Sequence, residues 1–220
     1  MPRTDPAEQS RSRRERILDA AFSTFASRGY RETAVDDIAG AAETSKGGIY
    51  FHFPTKEAIF RELMSTTADK LVAKVERAVA LETEPVARAE AAIHTVLTVF
   101  SGHRTMARLL FLDTVGAGRV FQTEANALHE RFARLIQGYL DEAVAAGACP
   151  SMDTRITSIA WFGAINEVVG RWLLAEQPGR LEDAYPALRA ALLRSASVSA
   201  ERIGEVPLPQ DGWDFPEPAS

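Results

Sequence analysis

Apolar residues recur at intervals of three and four along most of this 220-residue chain, and alternating, strand-like runs are nearly absent. Segments patterned in this way form helices with one stripe to bury, and that stripe is satisfied by packing helix on helix. The expected fold is all-α, with about nine helices: a small N-terminal three-helix module followed by a larger bundle.

Start and stop signals divide the pattern. Ile17, Leu18, Ala21, Phe22 and Phe25 share a stripe that Gly29 should end. Thr33 is placed to cap a short second helix carrying Val35, Ile38, Ala39 and Ala42, with Asp36 in the position of the capping-box acid. A third short helix follows Ser45, and Thr55 can cap a long fourth helix from Lys56. Pro85 suits the first turn of a fifth, and Met106 to Val115 reads as a shorter sixth. A long helix is expected from Val120 to Ala146, stopped by Gly147. Asp153 should cap the next, whose stripe runs from Ile156 to Leu173, and a last helix is expected over Asp183 to Ser195. Beyond it, the proline-rich acidic stretch 199–220 reads as a mobile tail.

Composition narrows the class. Lys+Arg is 25 against Asp+Glu 30, a net charge of −5, which disfavours a general polyanion binder. Cys149 is the only cysteine, so neither a disulfide framework nor a cysteine-built zinc site is expected. The first residues lack the apolar run of a signal peptide. The most apolar stretch, Ile156 to Ala175, carries Asn166, Glu167 and Arg171, which a lipid-facing span would not tolerate. A soluble protein of the cytoplasm, with no membrane partner, is the expectation. The four histidines (His52, His94, His103 and His129) lack metal-ligand spacing, and no nucleophile-elbow, phosphate-loop or dinucleotide fingerprint is present. No metal, no cofactor and no enzymatic activity are therefore expected.

Two short helices joined by a tight turn are a weak signature alone; the chemistry of the second strengthens it. Ser45-Lys46-Gly47-Gly48 supplies a hydroxyl cap, a cation and two residues without side chains, as suits a helix entering the major groove end-on. Tyr50 and His52 follow within a turn, and Lys56 places a cation at the next helix start, where it opposes the macrodipole and suggests an external anion. On these grounds alone, a plain helical hairpin remains as good a reading.

The stretch from Thr33 to Leu63 resembles the DNA-binding domain of TetR-type transcriptional repressors. The resemblance rests on Thr33-Ala34-Val35, Asp37-Ile38-Ala39, Ala41-Ala42, Ser45-Lys46-Gly47, Ile49-Tyr50-Phe51-His52-Phe53 and Lys56-Glu57, with a fitting first helix ending in Gly29-Tyr30. It implies that Thr33, Ser45, Lys46, Gly47, Tyr50 and Lys56 contact DNA, and that Gly48 and His52 tune sequence preference. Thr44 at the turn and Arg14 in the basic N-terminal segment complete the expected DNA face. The sequence departs from the family at Glu43, where glycine is usual, and at Thr44, where an apolar residue is usual. If Glu43 takes positive φ, the geometry costs about 1 kcal/mol relative to glycine.

Charge is distributed unevenly. Residues 1–61 carry ten Lys/Arg and nine Asp/Glu, a net of +1, while the remainder carries −6. Arg11, Arg13, Arg14 and Arg16 cluster at the entry to the first helix, where an arm can meet phosphate. The expected division is a flexible basic arm over 1–12, a DNA-binding domain over 13–60 with its helix-turn-helix near 33–53, a ligand and dimer domain over 61–198, and the tail.

In the bundle, Phe100, Phe111, Phe132, Tyr139, Trp161 and Phe162 are candidate apolar walls of an effector pocket. Arg104, Arg108, Asn166 and Glu167 are candidate polar anchors. Asn166 and Glu167, inside an apolar helix, need partners if buried. Arg104 and Arg108, one turn apart, suit a phosphate or carboxylate. Loose similarity of the INEVV and WLL stretch to fatty-acid-linked members of the family points to a lipophilic effector such as a fatty acyl-CoA. Ala160, Gly163, Ala164, Gly170, Ala187, Ala190, Ala191 and Ala196 are small residues exposed on the last two long helices, suited to close helix approach across a two-fold axis, so a homodimer is expected there. The functional expectation is a ligand-responsive repressor that binds a palindromic operator as a dimer. The alternative is a helical carrier or interaction protein without DNA binding.

Overall fold

Short caps and turns chop the helical pattern into elements. The computed structural model describes residues 6–109, 111, 122–176 and 179–204. Among these residues there is no strand, and ten α-helices: α1 (Pro6–Glu32), α2 (Val35–Ala41), α3 (Lys46–His52), α4 (Lys56–Val79), α5 (Pro85–Gly102), α6 (Arg104–Arg108), α7 (Gln122–Ala145), α8 (Thr154–Leu174), α9 (Tyr185–Ser195) and α10 (Ala200–Ile203). A 3-10 turn at Leu181–Ala184 leads into α9.

Several of these ends follow directly from local chemistry. Asp153 accepts the Ile156 N–H at 3.0 Å, Thr55 accepts the Ala58 N–H at 3.1 Å, and Glu84, preceding Pro85, accepts the N–H groups of Val86 and Ala87. Gly147, at φ 71°, closes α7 with the bonds Gly147 N to Val144 O and Ala148 N to Ala143 O.

Other ends differ from expectation. Gly29 breaks α1 at φ 79°, ψ 162°, but one more turn of helix follows to Glu32. The chain is helical from Pro6, so most of the segment expected as a flexible arm belongs to α1. The sixth helix runs over Arg104–Arg108; of the rest of its expected span Leu109 and Phe111 are described, while positions 110 and 112–115, with Phe121, lie outside the described residues. A tenth helix, capped by Ser199, occupies the start of the expected tail; residues beyond 204 are outside the described set.

The chain divides into two compact units. One holds α1–α3 and α4 as far as Ala68, together with the described residues between Arg108 and Glu124, so this unit extends past the expected limit at residue 60. Its core is Ile17, Ala21, Phe25, Ile38, Ile49, Ile59 and Phe60, all fully buried. Phe25 meets Phe60 edge-on at 5.4 Å, and Tyr30 packs against both rings. Each buried Ile or Phe side chain among these contributes roughly 1.5–3 kcal/mol by burial.

In the second unit α5 packs on the 3-10 turn and α9, and α8 packs on α9. Leu97, Phe100, Trp161, Val169, Trp172, Leu181 and Leu193 form its interior. On α7, Ala125, Ala133, Leu140 and Ala143 are innermost, and the expected stripe of Leu128, Phe132, Leu135 and Tyr139 is only half-buried. No helix among the described residues is long and apolar enough to cross a membrane.

Candidate nucleic-acid interface

The second helix begins one residue later than the sequence suggested. Ala34 is its N-cap, and the box acid is Asp37, whose carboxylate accepts the Ala34 N–H at 2.9 Å while the Asp37 N–H bonds back to the Ala34 carbonyl at 3.1 Å. The Ala34 N–H on its carboxylate, with Arg28 2.8 Å away, holds the Asp37 carboxyl below its usual range. Asp36 lies outside this box. Thr33 is not a cap and not a surface group: it is 2% exposed, and its hydroxyl donates to the Gly29 carbonyl at 2.8 Å. Its side chain braces the break in α1, so the DNA contact implied for it has no accessible group to make it.

The turn between α2 and α3 carries the backbone cost anticipated at Glu43. Glu43 stands at φ 51°, with its N–H on the Gly40 carbonyl and the Thr44 N–H on the Ala39 carbonyl. These two bonds form the Schellman closure that glycine usually serves. Ser45 then caps α3 by accepting the Gly48 N–H at 3.1 Å. Two glycines follow in different circumstances. A side chain on Gly48 would lie 2.5 Å from Thr44 Oγ1, so Thr44 leans over Gly48. A side chain on Gly47 would meet nothing closer than ordinary contact at 3.8 Å, so its bareness serves no packing need of this unit.

Helical geometry sets the outward face of α3. Ile49 points into the core, and the residues two positions away, Gly47 and Phe51, lie on the opposite side. Tyr50 is 44% exposed and Phe51 82% exposed. An aromatic ring held in water forfeits the burial that usually justifies it, and such exposed apolar surface marks an interaction face. Phe51 is not among the residues expected on the DNA face; the helix phase set by the buried Ile49 is the signal that turns it outward. His52 is half-buried beside them. Its pKa is lowered by desolvation and then by Arg13 and Arg14, so it is neutral near pH 7.

The cations divide into engaged and available groups. Lys56 is not poised for an external anion: its ammonium donates to the carbonyls of Tyr30 (2.9 Å), Thr33 (2.8 Å) and Arg31 (3.4 Å) and sits over the Tyr30 ring. The negative end it answers is the carboxy-terminal end of α1. Arg14 pairs with Glu62 at 2.5 Å and lies over the Phe53 ring. Lys46 remains exposed, with its ammonium 2.8 Å from the Asp36 carboxylate.

The residues expected to hold an effector take several different positions. Arg104 caps α8 instead, donating to the Leu173 and Ala175 carbonyls at 3.0 Å each and lying over Trp172. Glu167 is exposed and paired with Arg171 at 2.5 Å, and Asn166 is half-buried, so neither is the buried orphan expected. Phe100 is core, and Trp161 is buried with its indole N–H on Ser195 Oγ. Phe132 and Phe162 are half-buried and stack at 6.3 Å, and Tyr139 lies beneath Arg88. Arg108 is exposed, Phe111 is half-buried, and both fall in the other compact unit from Arg104. A cavity of about 350 Å³ in the second unit is lined by Glu84, Val86, Cys149, Val198 and Arg202 among others, and by none of the candidates. Among the described residues no cluster of potential metal ligands occurs.

Comparison with known proteins gives two matches to family models. The model described as bacterial regulatory proteins, tetR family, matches residues 17–63, and a tetracyclin repressor-like C-terminal domain matches residues 82–182. The HTH-type transcriptional repressor KstR2 of Rhodococcus jostii is 30% identical, over 73% of this chain and 85% of its own. A fatty acid metabolism regulator protein of Bacillus subtilis is 23% identical, over 77% of this chain and 88% of its own. In fold, the chain is similar to a transcriptional regulator FadR from Bacillus subtilis solved in complex with stearoyl-CoA, with a TM-score of 0.75 and 22% identity, covering 81% of this chain and 96% of that one.

Proposed function

Because this chain belongs to the tetR family of bacterial regulatory proteins, we propose that it is a cytoplasmic repressor that reads a palindromic operator through α3. The observation that carries the reading is the outward face of α3: a Ser45-capped helix start, a bare Gly47, and Tyr50 and Phe51 turned away from the core. Backbone N–H groups at such an end suit phosphate, and bare glycine permits close approach to base edges. The expected contacts are Ser45, Lys46, Gly47, Tyr50 and Phe51, with His52 and Gly48 at the margin. Anisotropy of a labelled duplex from upstream of its own coding sequence tests this: tight, salt-sensitive binding lost in Tyr50→Ala is expected. Equal affinity for a scrambled duplex would defeat it.

The working unit is a homodimer formed by α8 and α9. Ile156, Ile159, Ala160 and Gly163 on α8, and Ala187 and Ala191 on α9, are exposed, a mixture of bulky and small groups that packs poorly with water and well with a copy of itself. Ala190 and Ala196, expected at that surface, are spent on the chain's own core. Light scattering at micromolar concentration should give twice the chain mass, and Ile159→Glu should give the monomer.

The effector is a lipophilic acyl thioester. Similarity to a fatty acid metabolism regulator and to a regulator solved with stearoyl-CoA supports that class. The effector releases operator only in proportion to its preference for the unbound arrangement. Long-chain acyl-CoA should displace the labelled duplex; displacement by free CoA alone would overturn the assignment.

A further inference from the structure

We propose that Asp36 limits the DNA affinity of this protein by occupying Lys46, so that a backbone phosphate must displace a carboxylate before α3 can seat. The inference rests on the DNA-reading function proposed above. Between Thr33 and Phe53 the chain has one cation of the Lys/Arg type, Lys46, against three acids, Asp36, Asp37 and Glu43. Asp37 is committed to the Ala34 N–H and Arg28. Asp36, on the first turn of α2, makes its 2.8 Å bond to the Lys46 ammonium at the first turn of α3. Both side chains are open to water, at 64% and 52% exposure, so the pair contributes little to stability. Its geometry matters more: the charge-assisted bond from ammonium to carboxylate oxygen is the bond a phosphate oxygen would make.

Two consequences follow when DNA arrives. Lys46 changes partner, and the released Asp36 is left beside a phosphate of the same sign. Neither event involves a base edge, so the penalty falls equally on every sequence. Asp36 thus holds down occupancy of the many nonspecific sites without altering the order of preference among them.

The test is anisotropy with the upstream duplex and a scrambled duplex, across a salt series, for wild type, Asp36→Asn, Lys46→Gln and the double variant. Asp36→Asn should tighten both duplexes by the same factor, about three- to five-fold at low salt, and steepen the salt slope by about one per reading head. In the Lys46→Gln background the same change should gain less than about two-fold. Selective weakening on the upstream duplex by Asp36→Asn would mean that Asp36 reads a base, and an equal gain in both backgrounds would mean that Lys46 is not involved; either overturns the proposal. Absence of DNA binding by the wild type would instead remove the proposed function itself.

Discussion

The Lys56 ammonium lies 2.8 Å from the Thr33 carbonyl and 2.9 Å from that of Tyr30, tying the start of α4 to the end of α1. Hydrogen bonds to a charged donor contribute more than neutral ones, and the ring of Tyr30 beneath the cation adds to them. Lys56→Met should cost about 1–3 kcal/mol in urea denaturation. Well below its unfolding temperature, the variant should bind the upstream duplex within about two-fold of wild type. Loss of DNA binding with unchanged stability would return Lys56 to the DNA face.

Glu43 makes the opposite prediction. Its left-handed backbone at φ 51° serves a closure in which glycine carries no steric cost. Glu43→Gly should stabilise the protein by about 1 kcal/mol and, with one fewer negative charge near α3, tighten DNA binding. No gain in either measurement would show that the turn holds Glu43 without strain.

Phe51 is expected to matter for DNA and hardly at all for folding. With its side chain in water, Phe51→Ala should change stability by no more than about 0.5 kcal/mol. Operator affinity should fall about ten-fold or more, because the outward ring is placed for apolar contact such as that with a thymine methyl. Replacing operator thymines by uracil one at a time should reproduce part of that loss in wild type, and none of it in the variant.

Acid should weaken the fold before its carboxylates titrate. Burial, reinforced by Arg13 and Arg14, lowers the His52 pKa, and burial also lowers that of His129. Such groups protonate in the unfolded chain first, so stability is constant well above the unfolded value of about 6.5, declines as pH falls through it, and levels off below the folded value. Urea midpoints between pH 7.5 and 5 should show this decline, and His52→Gln with His129→Gln should flatten it.

In the second unit, Arg189 meets Glu90 through Nε at 3.0 Å and Nη2 at 2.6 Å, and donates Nη1 to the Ile203 carbonyl, with both acid and base less than one-fifth exposed. Glu90→Ala should cost about 2–3 kcal/mol by stranding the guanidinium. Glu90→Leu with Arg189→Met should cost less than either single change, as measured by a double-mutant cycle.

Several expectations were legible because they depend on neighbours in the chain. The Ser45, Thr55 and Asp153 caps, Pro85 in the first turn of α5, the Gly147 stop and the positive φ of Glu43 each involve groups within a few residues of one another. The exposure of Ser45, Lys46, Gly47 and Tyr50 at the surface of α3 depends likewise on a short stretch of chain, phased by the buried Ile49. The failures share a different origin. Lys56, Arg104 and Thr33 looked like surface polar groups in need of a ligand, and each is satisfied by a backbone carbonyl. For Lys56 and Arg104 the carbonyls lie more than twenty residues away.

What the sequence determined by itself is the helical class, the order of the helices and the α2–α3 reading module, because periodicity, caps and turns are local and additive. Only the tertiary structure decided which polar groups remain open to a partner. A cation's availability depends on every carbonyl and carboxylate that folding brings within about 3 Å of it. Thus Lys56 and Arg104 are consumed by helix ends, Lys46 is held by Asp36, and Phe51 is left facing outward.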